Sequence, residues 1–256
     1  CTVPRAVWYG TRVHLLYEMQ CTWGVRGGPR GDRAGVCVAW DPRQVGAMPQ
    51  SGGQLSRVIV KGRVLYMRLY FIGGGAAAGE WDIDLYAAYM PPRHLPTPEV
   101  EQAWQSLRAS VVRGARRQNA LIAGDLNAEP TDALRLRRNG QGAAAKPGDH
   151  ALQGMVTEHA GLSRLHRLEP TRQVSRRDGT RIDTIIDHMY AGPLFEARVL
   201  TASVVDGVTY DHKALSLVVD TGKRSAGAPA GTGTAVMPTR MKAGSMCGSG
   251  AAGTEC

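Results

Sequence analysis

The chain has 256 residues, 43% of them hydrophobic, with a formal net charge of +9 and an isoelectric point near 9.6. That length suits one large α/β domain or two small ones, and that apolar fraction excludes disordered and collagen-like chains. No apolar run reaches the roughly 18 residues that a membrane span requires, so no membrane partner is expected.

From about residue 11 the chain reads as strands and turns. "RVHLLYEMQCTW", the turn-rich "GVRGGPRGDR" and "AGVCVAW" form a hairpin-like pattern, and "RVIVKGRVLYMRLYF" carries two apolar runs about a Lys-Gly turn. "EWDIDLYAAYMPPR" is a strand ended by Pro91-Pro92. Val100, Trp104, Leu107 and Val111 then recur at helical spacing after the start signal Thr97-Pro-Glu. "ALIAGD" is a short buried strand, "TDALRLRRNGQGAAAKPGD" a loop, and "HALQGMVTEHAGLSRL" a helix. "RIDTIIDHMYAG" and "KALSLVVD" are the last strands. Beyond Asp220 a Gly/Ala/Ser/Thr-rich composition predicts a flexible tail, so the expected division is a domain over 1–220 and a tail over 221–256.

The five cysteines, at 1, 21, 37, 247 and 256, are odd in number and lack metal-ligand spacing. They predict neither a disulfide framework nor a zinc site, and Cys37 reads as a small core residue in a reducing, intracellular compartment. The chain opens at "CTVPRAVWYG" without Met, and no signal peptide is visible. Arginines gather at Arg108 to Arg117, Arg135 to Arg138 and Arg172 to Arg181. Such charge suits either a solvated surface or a polyanionic partner, and alone does not choose between them.

Four segments place polar groups where burial makes them expensive. Asp125 and Asn127 end the strand "ALIAG", and Tyr89 ends the strand before Pro91. Asp183 and Asp187 lie within the apolar "RIDTIIDHMY", where a continuous strand of period 2 turns both to one face. Asp211 and His212 precede "KALSLVV". Taken singly, Gly-Asp-Leu-Asn reads as a turn, Tyr89 as a strand end, Asp211-His212 as a loop or cap, and Asp183 as the partner of a nearby Arg. His150 and His159 read as surface or packing residues. Brought together, several carboxylates and one imidazole make a hard-cation site with an acid/base group, and Mg²⁺ suits that donor set.

In their order, "AAYMPPR", "LIAGDLNAEP", "RIDTIIDHMY" and "TYDHKALSL" resemble the endonuclease/exonuclease/phosphatase family over roughly residues 30 to 220. That family includes exonuclease-III-type repair nucleases, deoxyribonuclease I, inositol phosphatases and the endonuclease domains of non-LTR retrotransposons. The resemblance implies a four-layered α/β sandwich with the site at one edge of two packed sheets. It implies that Asp125 orients the attacking water or holds it near Mg²⁺ (Mn²⁺ as the alternative ion), and that Asn127 holds the scissile phosphate. Asp211 would help with the metal, His212 would act as general base or stabilise the transition state, and Tyr89 would donate a hydrogen bond to the phosphate. Asp187 would orient His212, with Asp183 as the rival register, and Thr171 in "EPTR" would lie beside the site. The family's metal-binding Glu has no match; Glu18 in "LLYEMQ" reads as a strand residue. The expectation is a chain truncated at its N-terminus, or descended from a degenerate element, with an exposed sheet edge and weakened activity.

The function expected first is a Mg²⁺-dependent phosphodiesterase acting on DNA, with water attacking phosphorus in line and the 3′ oxygen leaving. The Arg-rich helix over 98–118 and the loop over 131–138 would contact flanking phosphates. The relaxed motifs and the tail look like a retroelement open reading frame, whose parent polypeptide carries a reverse transcriptase and, where the element is active, works in the nucleus. The alternatives are a phosphatase acting on inositol or lipid phosphates, and a basic nucleic-acid-binding remnant without catalysis.

Overall fold

A computed structural model describes residues 2–10, 13–23, 35–50, 53–71, 82–92, 97–114, 117–130, 145–154, 161–175, 178–206 and 211–221. The expected tail beyond 221, the Arg-bearing 131–138 segment, His159 and Tyr210 lie outside the described residues.

A central seven-stranded sheet organises the chain. It contains β4 (Val45–Met48), β5 (Ser56–Val60), β6 (Val64–Phe71), β7 (Asp82–Tyr89), β8 (Ala120–Asp125), β9 (Ser163–Arg164) and β12 (Asp187–Ala191). Along its main path the order is β4-β6-β7-β8-β12-β9, with β5 also on β6. Only β7 and β8 among these neighbours run parallel, because α1 (Thr97–Arg113) carries the chain back across one face of the sheet between them.

Strand alternation builds a core on each face. Val64, Tyr66, Tyr86, Ala88, Ala120, Ile122 and Tyr190 face α1, which buries Val100, Trp104, Leu107 and Val111 against them, together with Leu152 of α2 (Pro147–Gly154). The intervening residues Leu65, Met67, Leu69, Ile83, Leu85, Leu121 and Met189 face the other way. They meet Val36, Val38 and Trp40 of β3 (Gly35–Trp40), Phe195 of α3 (Pro193–Glu196), and the hairpin of β13 (Val199–Val205) and β14 (Ala214–Val219). β1 (Thr2–Gly10) and β2 (Val13–Trp23) complete the three-stranded sheet that ends in β3. β10 (Arg172–Ser175) and β11 (Arg181–Thr184) form a separate hairpin. The described residues thus supply a helix layer, the central sheet and a second layer of smaller sheets, the α/β sandwich expected from the sequence.

Four expectations are corrected. Cys21 and Cys37, directly opposed on β2 and β3, form a disulfide. Spacing could not reveal this because the strand register brings them together, and the pair removes the ground for a reducing compartment. The "loop" before His150 already becomes helix at Pro147, where Asp149 accepts the Lys146 N–H at 2.9 Å. The expected helix through Leu165 gives way at its far end to β9, whose Arg164 sits opposite Tyr190 of β12. Finally, "RIDTIIDHMY" is two strands in two different sheets, broken at Ile185-Ile186. Side chains take the ladder's place there: the Ile185 N–H donates to Glu129 Oε1 at 3.2 Å, and the Ile186 N–H to Thr171 Oγ1 at 3.0 Å. Asp183 and Asp187 therefore do not share a face; the first is exposed and the second buried.

Gly124 has φ +139, and a Cβ there would collide with the Ala88 carbonyl of the neighbouring strand. Gly124→Ala should therefore lower unfolding stability by more than about 2 kcal/mol in urea titrations, whatever happens to activity.

Candidate active site

Register, rather than any one loop, assembles the site. Parallel pairing sets Tyr89 beside Asp125, and antiparallel pairing sets Asp187 beside Asp125, so the three lie in one row across β7, β8 and β12. Tyr89 and Asp125 are the last residues of their strands and Asp187 is the first of its own, which puts the row at one edge of the sheet.

Past Asp125 the chain turns sharply. Asn127 takes φ 47, a left-handed conformation that Asn tolerates better than most residues. Its N–H donates to Asp125 Oδ1 at 2.9 Å, and its side-chain Nδ2 donates to the Met90 carbonyl at 2.8 Å. The Met90 N–H returns a bond to the Asp125 carbonyl, while the Leu126 N–H bonds that of Ile186. Gly-Asp-Leu-Asn is thus a turn, as its composition suggests, but one stapled to both neighbouring strands.

His212 arrives from a segment laced to β10. The Gln173 N–H donates to the Asp211 carbonyl and the Lys213 N–H to the Thr171 carbonyl, each at 2.7 Å, with Arg172 bridging His212. This brings His212 Nδ1 to 3.0 Å from Asp187 Oδ2. With Nδ1 donating to the carboxylate, Nε2 is left to face the site. Thr171, fully buried, accepts the N–H groups of both Ile186 and Asp187 at 3.0 Å. Thr171→Val should strand both donors, costing about 2 kcal/mol or more in urea unfolding, while Thr171→Ser should restore most of that stability.

Ligand atoms of Asp125, Asp187 and His212 all lie within 4.8 Å of one another. Burial, and then repulsion from Asp187, push the Asp125 carboxyl up to about 7, against the opposing influence of His212, Asn127 and Arg172. Burial disfavours the charged form of His212, but the hydrogen bond and charge of Asp187, helped by Asp125 and Asp211, outweigh it and raise the imidazole above its ordinary value. Two abutting buried carboxylates beside one imidazole form an oxygen-rich donor set, and a hard divalent cation there would relieve their repulsion; the residues fit Mg²⁺ or Mn²⁺.

The remaining expected residues sit further out. Asp211 is half-exposed, its Oδ2 3.9 Å from His212 Nε2 and 3.2 Å from Arg172 Nε. Asp183 pairs with Arg181 at 3.0 Å. Glu18 lies in β2 opposite Trp40, a strand residue outside the cluster. Tyr89 lies under the Arg63 guanidinium, 5.0 Å from its ring centre. Sequence reasoning missed Arg63, Arg172 and the buried Glu129. Of these only Arg172 had a signal, its place next to Thr171.

No protein-family model matches this chain, and no curated protein matches it. Among solved structures, the endonuclease domain of TRAS1, a telomere-specific non-LTR retrotransposon, superposes with a TM-score of 0.57 at 16% identity, covering 80% of this chain and 81% of its own. The AP endonuclease LMAP from Leishmania major gives 0.57 at 13% identity, over 78% of this chain and 69% of its own. The 3′-5′ exonuclease NExo from Neisseria meningitidis gives 0.52 at 16% identity, over 79% of this chain and 80% of its own. The chain has the exonuclease-III-like α/β sandwich fold of these proteins.

Proposed function

We propose that this protein is a divalent-cation-dependent phosphodiester hydrolase that nicks DNA. The observation that carries the proposal is the Asp187–His212 hydrogen bond set against Asp125 in one buried edge of the sandwich. In a fold shared with DNA-cleaving enzymes, that pair is arranged for acid/base work on a phosphate ester. Asp125, with Asp187 beside it, would be the principal holder of Mg²⁺. Once bound, the ion would supply Lewis acidity toward the phosphate oxygens and a lowered pKa for water.

The chain's own groups do the rest. Asp125 accepts a hydrogen bond from the attacking water and aims it at phosphorus. His212 Nε2 takes the water's proton, and Asp187 fixes the imidazole's tautomer and steadies the charge that forms. Tyr89 donates to a non-bridging oxygen, and Asn127 positions the phosphate beside it. The new P–O bond forms as the bond to the 3′ oxygen breaks; the departing 3′ oxygen takes a proton from solvent, leaving a 3′ hydroxyl and a 5′ phosphate. Exposed Arg108 and Arg113 on α1 would meet flanking phosphates. The likeness to a retrotransposon endonuclease domain supports a retroelement origin, with a reverse transcriptase elsewhere in the parent polypeptide.

Incubating the purified protein with supercoiled plasmid and Mg²⁺ tests this reading. Conversion to open circles, abolished by EDTA, is the expected result. Folded protein that leaves the plasmid intact with both Mg²⁺ and Mn²⁺ would overturn it.

A further inference from the structure

One side chain at the mouth of the site has a role that neither the sequence motifs nor the hydrolytic scheme uses. Arg172 opens β10 immediately after Thr171 and bridges His212 through the backbone. Its Nε donates to Asp211 Oδ2 at 3.2 Å, and its side chain is 37% exposed. The guanidinium has five N–H donors, and Nε uses one of them. Its two terminal nitrogens have no partner among the described residues. Resting on the phosphodiester reading above, the geometry points to Arg172 as the cation that grips the substrate phosphate, with Asp211 holding it in place until the phosphate arrives.

Three considerations carry this. Arg's planar fork matches two phosphate oxygens at once, a charge-assisted geometry stronger than an ordinary hydrogen bond. Asp211, with its side chain 44% exposed, makes only a single-contact pair with Arg172, and such solvent-exposed pairs are weak. Exchanging that carboxylate for a phosphate therefore costs little. The place is also right: Arg172 is close enough to stabilise the charged form of Asp125, and Asp211 Oδ2 stands 3.9 Å from His212 Nε2. The exchange would free Asp211 beside the imidazole and any bound cation as the substrate seats. The bland reading, a tie that merely fastens the His212 segment, predicts something different: loss of either partner would then do equal harm.

DNA binding in EDTA separates the two without requiring cleavage. Fluorescence anisotropy of a labelled duplex is measured across a salt series for the wild type, Arg172→Gln, Asp211→Asn and the double variant. Arg172→Gln should weaken binding about tenfold at low salt and reduce the slope of log Kd against log salt by about one. Asp211→Asn should instead tighten binding, by up to about fivefold, because it frees the guanidinium. The double variant should match Arg172→Gln. An unchanged salt slope in Arg172→Gln, or weaker binding in Asp211→Asn, overturns the assignment. A wild type that neither binds nor nicks DNA defeats the functional reading itself. A wild type that nicks while Arg172→Gln keeps the full slope defeats this inference alone.

Discussion

Asp125→Asn should slow plasmid nicking in Mg²⁺ by about a thousandfold or more and, in chelator, make the metal-free protein more stable. The first effect follows from the role proposed for Asp125, aiming the water and holding the cation, which contributes several kcal/mol to catalysis of this kind. The second follows from the site's electrostatics. Burial and Asp187 push the Asp125 carboxyl from its ordinary 3.8 up to about 7, so the folded protein holds that proton more tightly than the unfolded chain. The stabilising contribution is complete below pH 4 and is lost as pH climbs through 7. By pH 8 the group is ionised in its buried site beside Asp187, and the folded state is destabilised accordingly. Asn escapes this cost while its Oδ1 can still accept the Asn127 N–H. In EDTA, wild-type Tm should therefore decline between pH 4 and pH 8 relative to the variant, and Mg²⁺ should close the gap. Equal Tm values at pH 8 in chelator would refute the electrostatic account, whatever the activity.

His212→Ala should cost on the order of a hundred- to ten-thousandfold in kcat/KM, the range for a positioned general base. Asp187→Asn is the more discriminating change. Losing the carboxylate removes the largest influence that raises His212, so its pKa falls. Catalysis needs the neutral base, so the acidic limb of the pH–rate profile should move to lower pH. The plateau should fall because Asn can present its amide to Nδ1 and favour the wrong tautomer. A plateau that falls with no movement of the limb would assign Asp187 a purely structural part.

Much of this was legible in the sequence, and the parts that were not share a cause. Strands β6, β7 and β8 and the apolar stripe of α1 are written in local periodicity, and the motif around Asp125 carries its turn in its own composition. What the chain could not display were bonds made over long separations. Glu129 and Thr171 supply side-chain acceptors that break the run between Asp183 and Asp187, and no period-2 pattern encodes that. The Cys21–Cys37 bond depends on the offset between two strands, and α2 begins early because Asp149 reaches back to the Glu129 and Lys146 N–H groups. Arg172 stood in the sequence beside Thr171 as one arginine of a basic cluster, and only folding set it against Asp211.

The row formed by Tyr89, Asp125 and Asp187 makes the protein vulnerable to a lesion that spares every functional residue. Each member owes its position to counting along β7, β8 and β12. Deleting or adding one amino acid between Ala120 and Gly124 would turn Asp125 to the opposite side of the sheet and bring an apolar neighbour into its place. Frame-preserving indels in that strand would therefore dismantle the row more completely than most single substitutions within it.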